Sequence, residues 1–178
     1  MNKKHILLYI AALAGCFLLG CAGALTLRAI DARPIQPLQG GKTVDFDGFS
    51  LSIPQDYTIA DHTADNLAQG GGARYAGSMT DGDDALYLFC YDNPSGDSLA
   101  DYAEQDVVAY YMRAGATEVR TRELGGRRFI CYRASVTGED GRQLWDTYET
   151  WDEARQISFE TQMAPARVLP ILSTIRFD

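Results

Sequence analysis

Two histidines, His5 and His62, are the chain's whole supply of imidazole, and only His62 lies beyond the N-terminal segment. That excludes a two-histidine zinc site of the HExxH kind. His62 could still serve as base to a Ser or Cys nucleophile, with Asp56 or Asp61 orienting the ring. There is no Gly-x-Ser-x-Gly elbow, and both thiols beyond the N-terminal segment, Cys90 and Cys131, fall inside predicted strands. The expectation is an exposed loop histidine and no catalytic residue. A hydrolase centred on His62 is the rival, and it requires a cleft that brings a Ser or Cys to the ring.

The carboxylates are more plentiful. Asp81-Gly82-Asp83-Asp84 has the clustered acids that hard cations take, but it lacks the sixth-position Gly and has Asp92 where a calcium loop carries Glu. It reads as an acidic turn. Asp146 or Glu149 with Glu160 fall on strands expected to be neighbours, a layout used in acid–base catalysis. The register that would set their separation is not legible, and among 24 acids adjacent pairs arise by chance. Gly70-Gly71-Gly72 has neither the spacing nor the Lys-Ser/Thr pair of a phosphate loop. No metal, cofactor or catalytic site is expected.

Cys90 and Cys131 are the disulfide candidates if the domain lies outside the cytoplasm, although mid-strand thiols are commonly buried and reduced. The binding potential lies in the aromatics. Ten tyrosines accompany Trp145 and Trp151, which share one face of a predicted strand with Tyr148 on the other. Such residues are enriched at interfaces. The pattern favours the tryptophans packing under a helix and Tyr148 as the surface anchor; all three are interface candidates. Arg120, Arg122, Arg127 and Arg128 crowd one predicted hairpin, read as a solvated strand face.

These residues need elements to position them. Lys3 and Lys4 precede an uncharged run, Ile6 to Leu27, long enough at about 1.5 Å per residue to cross a hydrocarbon core of about 30 Å. Three readings compete for it: a retained single-pass helix with the N-terminus inside, a lipoprotein signal ending at Leu18-Leu19-Gly20-Cys21 with Cys21 lipidated, and a cleaved secretory peptide. Leu19 is bulky for a lipoprotein box, and the chain stays apolar for six residues after Cys21. Residues 1–27 are thus an anchor or signal segment, 28–42 a Pro- and Gly-containing linker, and 43–178 one extracytoplasmic domain. From Asp31 onward 13 basic face 24 acidic side chains, a net of −11, so nucleic acid and anionic lipid are repelled.

Within the domain, Asp47-Gly48 marks a hairpin and Phe49, Leu51 and Ile53 alternate with serines as a half-buried strand. Ala73–Met79 and Ala85–Tyr91 form a second hairpin, and ALYLFCY, apolar on both faces, belongs inside the sheet with cover on each side. Asp97 or Ser98 caps a helix carrying Leu99, Ala103, Val107, Tyr110 and Tyr111 that stops at Gly115. The segments 117–124, 127–137, 143–151 and 156–163, joined by tight turns, make an antiparallel meander, and a short helix over 166–174 closes the chain.

The order of a membrane-attached N-terminus, Phe49-Ser-Leu-Ser-Ile-Pro54-Gln-Asp-Tyr57, a helix from Ser98-Leu99, a Gly125-Gly126-Arg127 hairpin and a closing Ile171-Leu-Ser-Thr-Ile175-Arg-Phe177 resembles the PsbP-like superfamily, which includes DcrB-type bacterial envelope lipoproteins. The resemblance implies an α+β fold: an antiparallel β-sheet with helices packed on its faces, an α/β/α sandwich, here preceded by one N-terminal hydrophobic helix. Tyr57 stands where many relatives have Trp. The superfamily implies binding and assembly modules rather than one activity, so no functional residue is carried over. The functional expectation is a tethered, non-enzymatic accessory domain with a protein partner in the cell envelope. The alternatives are a solute-binding lipoprotein with an apolar pocket, and the His62 hydrolase.

Overall fold

The structure, a computed structural model, describes residues 35–46, 48–82, 84–138 and 141–177. The hydrophobic segment 1–27 and Cys21 lie outside the described residues. Among the described residues no helix is long and apolar enough to cross a membrane.

Residues Gln36–Asp178 form one compact unit. The backbone N–H of Leu38 donates to Pro170 O at 3.0 Å, so the end of the expected linker is already fastened to the domain. A three-stranded sheet has the order β1 (Lys42–Phe46), β2 (Phe49–Ile53), β10 (Arg176–Phe177). A seven-stranded sheet runs β3 (Thr58–Asp61), β4 (Tyr75–Thr80), β5 (Ala85–Asp92), β9 (Arg155–Thr161), β8 (Gly141–Trp151), β7 (Arg127–Gly138), β6 (Thr117–Leu124). Every pairing is antiparallel. The expected meander is the β6–β9 half of the large sheet, and β5 is an inner strand, as its apolar run implies.

One face of the large sheet meets the small sheet and α3 (Pro165–Leu172). Strand period sends Leu86, Leu88, Phe129, Tyr148, Ile157 and Phe159 to this side, where they are buried with Phe49, Leu51, Ile53, Val168 and Leu172. Phe159 is fully buried at the centre, its ring 6.4 Å from Phe49 and 6.5 Å from Phe129. Gly125 makes the β6–β7 turn at φ 59°, and a Cβ there would come within 2.4 Å of the Ile175 carbonyl oxygen. The register shifts between Thr117 and Arg120, where Glu118 adopts φ 54° in a bulge and pairs with Arg133 at 2.7 Å.

The opposite face carries α1 (Thr63–Ala68) near β4 and α2 (Glu104–Arg113) over β6 and β7. The polar sequence of α1 has no apolar period and forecast no helix. It is held at its N-terminal end instead: Asp61 accepts the Thr63 N–H at 2.8 Å, and the Ala76 N–H donates to the Thr63 hydroxyl at 3.1 Å. Of the two expected caps it is Ser98 that acts, in a capping box with Asp101, but it opens only a single 3₁₀ turn, Leu99–Asp101. The helix then breaks, because Tyr102 and Ala103 are extended at ψ 142° and 136°. Two contacts hold that break: the Tyr102 hydroxyl donates to Asp97, and Arg128 donates to the Tyr102 carbonyl at 2.9 Å. Under α2 a second small core joins Leu99, Val107 and Ile130 with Tyr111, Tyr132 and Trp151.

Candidate functional site

Between α1 and α2 the large sheet keeps a strip of β5, β9 and β8 in which large side chains such as Tyr87, Phe89, Tyr91, Trp145 and Glu160 are part-covered, while Thr147, Glu149 and Ser158 between them are buried. On β5, Leu86, Leu88 and Cys90 are buried in the core, whereas Tyr87, Phe89 and Tyr91, pointing the other way, are half-buried. The expectation of cover on both faces of ALYLFCY thus holds on one face only. Register places Tyr87 beside Glu160, Phe89 beside Ser158 and Tyr91 beside Gln156, with Thr147, Glu149 and Trp151 next in line on β8. Trp145 continues that row, its ring 5.6 Å from Tyr87, and the Phe89 and Tyr91 rings stack at 6.4 Å.

Two carboxylates sit in this aromatic surface. Glu149 is 5% exposed and accepts hydrogen bonds from the Tyr132 hydroxyl at 3.0 Å, from Gln156 Nε2 and from Tyr111. Burial nonetheless raises its pKa above the usual carboxylate range. Glu160, one step diagonal from Glu149 across β8 and β9, is raised first by burial and then by the charge of Glu149. Tyr91, Tyr111 and Tyr132 are raised in turn, by burial and then by these carboxylates, so all three remain neutral phenols. Because Glu149 is enclosed by three donors it cannot reach a substrate. Enclosed in this way, Glu149 is not placed to act with Glu160 as an acid–base couple on a substrate.

Beside the strip, Tyr102, α2 and Trp151 of β8 border an open hollow of about 380 Å³ lined by Tyr102, Asp106, Val107, Tyr110, Tyr111, Arg113 and Trp151. Trp151 packs beneath α2 and also lines this hollow, while Trp145 lies in the strip beside Tyr87. Tyr148 departs from expectation. It is 2% exposed on the core face, opposite Cys131 and Phe159, and is no surface anchor. Its neighbours on β7 and β9 are themselves in the core layer, which alternation within one strand cannot reveal.

The Cys90–Cys131 disulfide also falls. Cys90 is on β5 and Cys131 on β7, with β9 and β8 between them, so at about 4.8 Å per strand their backbones lie roughly 14 Å apart, twice the reach of a disulfide. The arginine cluster is divided by the pleat. Arg127 lies 3.8 Å from the centroid of Phe177 and pairs with Asp152 at 3.1 Å, whereas Arg128 reaches the Tyr102 carbonyl on the other face. In the acidic turn, the Arg167 guanidinium bridges Asp81 and Asp84, occupying the place a cation would take.

His62 is not a solitary loop residue: its Nε2 is 2.9 Å from the hydroxyl of Ser78. The hydrolase reading needs such a contact, but the surroundings do not complete a site. Ser78 is mid-strand and 6% exposed, and β4 is laddered to both β3 and β5, so no pair of backbone N–H groups is free to receive an oxyanion. Asp61 is committed to the Thr63 N–H. Among the described residues no group of three His, Cys, Asp or Glu side chains is placed to hold a metal ion.

No family model matches the chain, and no curated protein is significantly similar to it in sequence. Solved structures are similar. Cyanobacterial PsbP from Synechocystis superposes with a TM-score of 0.54 over 83% of this chain and 98% of its own, at 14% identity. A protein from Bacteroides thetaiotaomicron superposes with a TM-score of 0.50 over 78% of this chain at 12% identity, and there the chain spans about half, 48%, of the other's length. At these identities the likeness is one of architecture: an α+β fold with a large antiparallel sheet and flanking helices, of the PsbP-like kind.

Proposed function

We propose that this chain is a membrane-tethered, extracytoplasmic accessory domain of the cell envelope that acts by binding a protein partner and not by catalysis. Residues 1–27 anchor it, through a retained helix or through lipid on Cys21, and the following linker sets its distance from the bilayer. The carrying observation is the half-covered aromatic and acidic strip. Folding alone favours burying Tyr87, Phe89, Tyr91 and Trp145 under a helix, and their partial exposure on inner strands is what a docking surface requires. The PsbP-like architecture supports this reading as an analogy of fold.

The test places a photo-activated cross-linking residue at Tyr91 and, as control, at Arg176 on the small sheet, in cells. Capture of one defined protein from position 91 but not from 176 is expected; equal capture from both would refute the reading. The 380 Å³ hollow favours a second reading, a solute-binding domain, because its lining is almost wholly apolar and its size suits a small ligand. That reading predicts a small molecule retained in native mass spectra and lost on Tyr111→Ala.

A further inference from the structure

We infer that the strip receives an extended segment of a partner protein bearing a lysine or arginine, whose cationic head lies on Glu160 above Glu149 among Tyr87, Phe89, Tyr91 and Trp145. The inference rests on the binding-domain reading and names the chemistry of its partner.

The first ground is charge without a counter-charge. Burial disfavours both Glu149 and Glu160 as anions, the charge of Glu149 adds to this at Glu160, and among the described residues no Lys or Arg forms a salt bridge with either. The donors that do reach Glu149 are neutral: two phenols and an amide. A guanidinium or ammonium arriving from outside supplies the missing positive charge in a partly dehydrated setting, where charge-assisted hydrogen bonds are strongest. The second ground is the wall. Tyr87 and Trp145 lie together on one side of Glu160, and the stacked Phe89 and Tyr91 extend along β5 on the other. Aromatic faces attract cations and shelter the alkyl stem of Lys or Arg.

Shape selects a chain segment over a lone cation. The strip crosses three strands, roughly 10 Å from β5 to β8, and has no roof, so a small ion would leave most of the aromatic surface wet. Because β5, β9 and β8 are inner strands, their backbone hydrogen bonds are taken. The partner is therefore read through side chains and not by adding a strand to an edge. The net charge of −11 beyond residue 30 steers a basic segment toward the domain and repels an acidic one.

The test uses the full chain in non-ionic detergent on arrays of decapeptides with one fixed central residue (Lys, Arg, citrulline, Leu or Glu) and randomised flanks. Retention on the Lys and Arg pools is expected to exceed that on the other three about tenfold, the worth of one charge-assisted contact. Glu160→Gln, with its melt checked for folding, should erase the preference, and Phe89→Ser should weaken retention on both basic pools. Equal retention on all pools, preference for Leu or Glu, or a basic preference that survives Glu160→Gln overturns the inference. So does competition by free arginine amide as effective as by the Arg peptide, which would make the occupant a small solute. Cross-linking at position 91 separates this inference from its parent. Partner capture that persists unchanged in Glu160→Gln leaves the binding-domain reading standing and removes the cationic segment.

Discussion

Replacing Glu149 by glutamine tests the electrostatics on which the strip depends. Glu149 and Glu160 are diagonal neighbours on β8 and β9, a side-chain separation of about 7 Å, at which two full charges repel by about 2 kcal/mol at an effective dielectric of about 20. Glu160 is only partly buried, so solvent reduces this to about 1 kcal/mol. In E149Q the amide oxygen still accepts from Tyr132, and Gln156 can turn its own carbonyl toward the new NH₂. The variant should be about 1 kcal/mol more stable than wild type at pH 8, or ~3–4 °C in Tm for a domain of this size. The sign follows from linkage. Both carboxyls are raised in the folded state, so between the unfolded carboxylate value and the raised folded values the native state holds more protons. Wild-type stability from this pair is fully present below about pH 4 and is lost as pH rises through the folded values. The advantage of E149Q should therefore open with rising pH and close in acid. Urea melts of both proteins from pH 4 to pH 8 read it directly. An E149Q less stable than wild type at pH 8, or a difference constant across the range, would refute the reasoning.

Other substitutions probe the frame. Phe159→Ala empties the junction between the two sheets and should cost about 3–5 kcal/mol by denaturant melt, whereas a loss under 1 kcal/mol would mean the layers repack freely. Gly125→Ala should be clearly more damaging than Gly126→Ala, because both have positive φ but only at Gly125 does the added Cβ meet the Ile175 carbonyl; equal losses would contradict this. Millimolar calcium should leave the wild-type melt unchanged while Arg167 spans Asp81 and Asp84, and an upward shift in Tm would show a cation displacing the guanidinium. A fluorophosphonate probe should not label Ser78 despite its contact with His62, and labelling lost in His62→Ala would restore the hydrolase.

Local patterning made the meander, the inner position of β5 and a cap at Asp97 or Ser98 legible, because alternation, apolar runs and caps are properties of neighbouring residues. What failed depends on partners distant in sequence. Tyr148 looked outward because it opposes two tryptophans on its own strand, yet the face it occupies is the one roofed by β2 and α3. Cys90 and Cys131 seemed bridgeable because nothing in their spacing shows that β9 returns from the far end of the chain to lie beside β5. The pair Glu149–Glu160 was visible as a coincidence of residue types, and only the register of β8 on β9 made it a site. The aromatic side of β5 did leave a trace: Tyr87, Phe89 and Tyr91 are larger than Leu86, Leu88 and Cys90, and the two tyrosines carry a polar hydroxyl tip, as suits a surface that is neither core nor solvent.

The bond from Leu38 to Pro170 and the pairing of β2 with both β1 and β10 bring the beginning and end of the domain into one small sheet. A load applied at Gln36 would therefore be taken up by the β1–β2 ladder and α3, on the side of the large sheet remote from Tyr91 and Glu160. Were the proposed tether to pull there, it would strain a latch that the proposed docking strip does not share, and the strip would stay undisturbed.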